Sequence, residues 1–145
     1  MATLNGTSGD DRIIGTESAD IIYGLSGDDT IEGRFGNDVI EGNQGDDHIR
    51  AQEGNDNVSG GIGDDFIGGG DGNDILDGGD GNDTIWGGSE NDTITGGDGN
   101  DLIGGGSGAD LVNGGDGNDT IWGGTGSDNE EVLVDGVQFS GLSGG

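Results

Sequence analysis

Aliphatic residues recur along this chain at a spacing of nine, each isolated among polar neighbours. Cut from Gly6 into nines (GTSGDDRII, GTESADIIY, GLSGDDTIE and onward to GGTGSDNEE), residues 6–131 form fourteen blocks without insertion or deletion. The eighth place is Ile, Val or Leu in thirteen of them and fails only at Glu130. Places seven to nine, as in Thr84-Ile85-Trp86, read as a short strand whose middle side chain points opposite to its neighbours. The first six places are rich in Gly, Asp and Asn, which tolerate positive φ and close backbone approach, and read as a turn. Positions one, two and four hold 33 of the 39 glycines.

Nine residues cannot close a coil around a core, but eighteen can, as strand, turn, strand, turn. The spacing therefore predicts an all-β parallel solenoid of about seven coils, stacked about 4.8 Å apart to a height of roughly 30 Å. Two facing columns of position-eight side chains make one thin core. Leu4 falls at position eight of a truncated block, so Thr3-Leu4-Asn5 begins the first face.

Composition changes the picture. Aspartate and glutamate number 31 against three arginines and no lysine, for a net charge of −28. Low hydrophobicity with such charge normally marks a disordered chain. The aliphatic column is too small to offset the ordering of the repeat, so a self-sufficient core is excluded. Nucleic acid is a poor partner without a basic footprint, and an anionic membrane surface repels the chain. No apolar run is long enough for a membrane span. The start MATLNGTSGDD shows no cleavable signal, and the chain has no cysteine.

Position six is aspartate in every block: Asp11, Asp20, Asp29, Asp38, Asp47, Asp56, Asp65, Asp74, Asp83, Asp92, Asp101, Asp110, Asp119 and Asp128. Stacking places these carboxylates in a column down each side of the body, with loop carbonyls between them. Hard oxygens in flexible loops suit Ca²⁺, whereas Mg²⁺ keeps its waters and prefers sparser sites. No cluster of His or Cys favours zinc. The expectation is a chain disordered without calcium and β-rich with it.

The blocks GGDGNDILD (69–77), GGDGNDTIW (78–86) and GGDGNDTIW (114–122) resemble the RTX nonapeptide GGxGxDxUx, a calcium-binding β-helix repeat, and the likeness covers residues 6–131. The resemblance implies a right-handed parallel β-roll with calcium between successive loops on each side. It further implies that one loop supplies the carbonyls of positions two and four and its aspartate. The next loop on the same side then supplies the carbonyls of positions one and three and its own aspartate. On this chain one implied site is Gly70, Gly72 and Asp74 with Gly87, Ser89 and Asp92. Its neighbour on the opposite side is Gly79, Gly81 and Asp83 with Gly96, Asp98 and Asp101. Seven loops a side imply about twelve ions, whose charge offsets most of the acidity.

Departures gather toward one end. Position two is Thr7, Thr16, Leu25, Arg34, Asn43 and Gln52 in the first six blocks and glycine from Gly61 onward. Ala51 opens block six, and Ser18 and Glu90 replace glycine at position four. These loops are expected to be strained or to bind weakly, with affinity rising toward the C-terminal half.

Residues 1–131 are assigned to the roll and 132–145 to a capping hairpin and tail. VLVDGVQFSG suggests a type I′ turn at Asp135-Gly136, with Val132, Val134, Val137 and Phe139 covering the last coil and a GLSGG end. Odd blocks expose Phe66, Trp86 and Trp122 on one sheet, a candidate ridge for carbohydrate or protein. His48, the only histidine, sits at an outward place, and no triad or phosphate loop stands out, so catalysis is not expected.

The expected role is a secreted, calcium-folded structural, scaffold or adhesive module that joins copies through sheet faces or coil ends. The alternative is an accessory folding, secretion or substrate-binding module of a larger secreted hydrolase, toxin or polysaccharide-modifying enzyme. The resemblance also implies export by a type I-like route without an N-terminal signal, leaving the chain to fold in extracellular calcium.

Overall fold

In the computed structural model, residues 1–126 and 138–139 are described. The chain winds as a parallel β-solenoid of about seven turns, each of about eighteen residues. Strands β1 (Thr3–Asn5) and β2 (Arg12–Ile14) are short. Twelve strands of six residues follow: β3 (Ile21–Ser26), β4 (Thr30–Phe35), β5 (Val39–Gln44), β6 (His48–Glu53), β7 (Asn57–Ile62) and β8 (Phe66–Asp71), then β9 (Ile75–Asp80), β10 (Thr84–Ser89), β11 (Thr93–Asp98), β12 (Leu102–Ser107), β13 (Leu111–Asp116) and β14 (Thr120–Thr125). Odd strands β1 to β13 form a seven-stranded sheet; the even strands, with β15 (Gln138–Phe139), form an eight-stranded one.

All pairings are parallel and offset by eighteen residues, so like meets like: Ile85 stands between Ile67 and Ile103. That register leaves no choice of face. Ile22, Ile31, Ile40, Ile49, Val58, Ile67, Leu76, Ile85, Ile94, Ile103, Val112 and Ile121 are all buried in one cluster, with Leu4 and Ile13 packed against its start.

Strands run longer than the three residues expected from places seven to nine. They continue through positions one to three of the next block, because backbone ladders form between identical coils whatever the side chains are. Gly88 and Ser89, for example, pair with Gly70 and Asp71. The expected hairpin about Asp135-Gly136, the GLSGG end and Asp128 lie outside the described residues. Within that stretch only β15 is described, and it keeps the eighteen-residue parallel register by pairing with Thr120 and Ile121. Among the described residues no helix is long and apolar enough to cross a membrane.

Candidate metal sites

The turn between strands is built by its backbone. In every loop from Leu25-Ser26-Gly27 onward, positions two and four both have left-handed φ, as at Gly70 (117°) and Gly72 (133°). Glycine reaches this region freely. Leu25, Arg34, Asn43, Gln52 and Glu90 do not, yet they adopt φ between 75° and 85°, so the strain expected at these positions is present. Thr7, Thr16 and Ser18, expected to be strained as well, are not left-handed.

From Asp29 to Asp119, each position-six aspartate commits one carboxylate oxygen to the coil before it. Its Oδ1 accepts the main-chain N–H of the aspartate one coil earlier. Asp65 N donates to Asp83 at 2.8 Å, and Asp74 N to Asp92 at 2.9 Å. Two such ladders run the length of the body: Asp11, Asp29, Asp47, Asp65, Asp83, Asp101 and Asp119 on one side, Asp20, Asp38, Asp56, Asp74, Asp92 and Asp110 on the other. In ten of these carboxylates the second oxygen is left over. Oδ2 of Asp29, Asp38, Asp47, Asp56, Asp65, Asp74, Asp83, Asp92, Asp101 and Asp119 is buried and accepts no hydrogen bond.

What those oxygens face is another acceptor. A Cβ placed on Gly60 would collide with both Asp65 Oδ2 and the carbonyl of Gly78, one coil on; Gly69 stands in the same relation to Asp74 and Gly87, and Gly78 to Asp83 and Gly96. Position one thus leaves open a cradle walled by a carboxylate oxygen and a carbonyl oxygen. A buried carboxylate oxygen without a donor, set beside a carbonyl oxygen, calls for a cation. Ala51 alone brings a methyl to this position, and it is fully buried.

Electrostatics agrees. Burial, the largest influence, together with like-charged neighbours, outweighs the N–H donated by the preceding coil and pushes Asp65 and Asp92 up to about 7 and Asp47, Asp56 and Asp83 up to about 6. Asp20 is the exception. Burial raises it, but N–H donors from Thr16 and Ala2, the Thr16 hydroxyl and the terminal ammonium hold it below the usual value. Among the described residues no three His, Cys, Asp or Glu side chains converge on a metal position by themselves. A cation in the cradle would need main-chain carbonyls as ligands, which suits oxygen-seeking Ca²⁺.

Comparison with protein families gives four successive matches to the RTX calcium-binding nonapeptide repeat, at residues 5–40, 32–67, 68–103 and 95–129. The chain belongs to the RTX calcium-binding nonapeptide repeat family. Comparison with curated proteins returns no match. The repeats of the RTX family bind Ca²⁺, and the aspartate ladders of this member provide for more than one ion.

On the outward faces, the expected aromatic ridge of this RTX chain is broken into two stacks. His48 lies on Phe66 with ring centroids 4.6 Å apart, and Trp86 lies on Trp122 at 5.9 Å. Trp86 leans over Gly104 to reach its partner, and a cavity of 280 Å³ opens over Gly68, lined by Arg50, Phe66 and Trp86. Burial, with the charge of Arg50, lowers the His48 pKa. Sequence reasoning missed the role of Thr7 and Thr16, whose hydroxyls engage the aspartates of their own loops. The signal was a hydroxyl four residues ahead of the aspartate.

Proposed function

We propose that this chain is a secreted structural module that calcium folds outside the cell, with ions seated between successive loops on each side. The single observation that carries this reading is the row of buried Oδ2 atoms without donors, set against a carbonyl of the next coil at Asp29, Asp38, Asp47, Asp65, Asp74, Asp83, Asp92 and Asp101. Asp74 with the carbonyls of Gly70 and Gly72, and Asp92 with those of Gly87 and Ser89, form one site. Asp83 with Gly79 and Gly81, and Asp101 with Gly96 and Asp98, form the next. A metal-free roll would hold its carboxylates buried and mutually repelling, so ions and fold arrive together.

Far-UV circular dichroism during a titration from EDTA into calcium tests the reading. The expected result is a coil spectrum in chelator that turns β-rich in calcium at about millimolar concentration. A β-rich spectrum in excess EDTA at neutral pH overturns it. A second reading, an accessory binding module of a larger secreted protein, is favoured by one feature, the Trp86–Trp122 stack beside the cavity over Gly68. Indole faces and an arginine suit a sugar or a protein surface.

A further inference from the structure

The first two loops depart from all the others in three linked ways. Their backbone is different: none of Thr7, Gly9, Thr16 and Ser18 is left-handed, whereas positions two and four are left-handed in every later loop. The Oδ2 atoms of their carboxylates have donors, whereas those of Asp29, Asp38, Asp65 and Asp74, among others, have none. Asp11 Oδ2 accepts the Thr7 N–H at 2.5 Å and the Thr7 hydroxyl at 2.8 Å. Asp20 Oδ2 accepts the Thr16 N–H at 2.7 Å and the Thr16 hydroxyl at 2.8 Å. Finally, these carboxylates are turned from the cradle. A Cβ on Gly6 would lie 3.0 Å from Asp11 Oδ2, farther than in any later loop that shares this contact, and the nearest atoms to one on Gly15 are main-chain atoms of Gly33 and Glu32.

The threonine hydroxyl also sits between the two groups that a later loop would turn toward an ion. Thr16 Oγ1 is 2.8 Å from Asp20 Oδ2 and 3.1 Å from the carbonyl of Ser18 at position four. Its one proton serves a single acceptor at a time, and the shorter distance selects the carboxylate. The remaining lone pairs receive the Ser18 N–H at 3.3 Å. A neutral hydroxyl and an amide thereby do for this carboxylate what a cation does elsewhere. A β-branched residue is well placed for this, since it resists left-handed φ and keeps the loop in the form that directs its amide inward.

We infer that Thr7 and Thr16 close the first two loops without calcium, so that the roll begins with an ion-free turn on each side and takes up two fewer ions than its number of loop pairs allows. Full loading is then about ten ions in place of about twelve. This rests on the proposed calcium sites in the later loops. The N-terminal end thereby differs in kind from the rest of the roll. Its turns need no ion of their own and offer β3 and β4 an edge on which the first ion-dependent coil can form.

Ion counting on the intact chain by native mass spectrometry in saturating calcium tests it. Replacing Asp11→Ala with Asp20→Ala is expected to leave the count unchanged, whereas Asp65→Ala and Asp74→Ala lower it. Thr7→Gly with Thr16→Gly is expected to raise the count by two, and Thr7→Ser with Thr16→Ser, which keep the hydroxyls, to leave it as it was. A lower count on losing Asp11 and Asp20, or no gain in the glycine variant, overturns the inference. No change on losing Asp65 and Asp74 overturns instead the calcium reading beneath it. The serine pair distinguishes a role in ion exclusion from one in shape alone, because its count depends on the hydroxyl.

Discussion

At the scale of the residue, position two separates two ways of living without glycine. Leu25, Arg34, Asn43 and Gln52 accept left-handed φ and the strain that goes with it, about 1 kcal/mol each. Leu25 is 43% exposed, so trimming its side chain forfeits little burial. Leu25→Gly is expected to stabilise the calcium-loaded roll by a few tenths to about 1 kcal/mol, the gain being reduced by the extra freedom glycine brings to the unfolded chain. Denaturant unfolding in saturating calcium measures it, and a loss of stability contradicts it. Asn43→Gly should gain less, because the Asn43 amide donates to the Glu41 carbonyl at 3.2 Å. Glycine's absence was legible in the sequence, but the two outcomes were not. All six substitutions read alike until φ and the hydroxyl bonds of Thr7 and Thr16 distinguish them.

At the scale of the element, the apolar column was legible almost completely, because one side chain in nine and an unbroken period leave a single register. The extent of the strands was not. Ladder bonds through positions one to three depend on the backbone of the coils above and below, and no side-chain pattern marks them. A uniform column should be equally intolerant along its middle. Ile85 is fully buried between Ile67 and Ile103, where the stacked backbone cannot collapse into a gap. Ile85→Ala is expected to cost about 2–5 kcal/mol and to lower the thermal midpoint in calcium. A loss below about 1 kcal/mol would mean that the coils slide to fill the space.

At the scale of the whole molecule, acidity and fold are one problem. Buried aspartates with pKa values near 6 and 7, as at Asp47 and Asp65, bind protons in the metal-free roll at a pH where the unfolded chain does not. The folded state then holds more protons than the unfolded one between about pH 4 and 7, so its stability in chelator rises as pH falls through that window and is lost as pH climbs out of it. Calcium displaces those protons from the same oxygens, so the calcium-loaded roll and the unfolded chain are both deprotonated in this window. In circular dichroism, the β signal in EDTA is expected to strengthen from about pH 7.5 to about pH 5.5, and the calcium needed for half-folding not to increase. A rise in that calcium midpoint, or a signal in EDTA that ignores pH, contradicts it. The columns of acid could be foreseen from the sequence. Which carboxylates lack donors could not, since that depends on how each loop turns.

The offset of eighteen also sets a rule of parity for the chain's length. Each coil spends nine residues on one sheet and nine on the other, and successive coils repeat the same wall. Excising a whole coil between β10 and β14 would shorten the body by about 4.8 Å and leave Trp122 on the same wall as Trp86. Excising half a coil would carry everything beyond the cut to the opposite wall, and the indole pair would be parted although neither tryptophan had changed. Growth or loss of such a molecule by copying is therefore quantised in pairs of nonapeptides wherever a surface pattern has to survive.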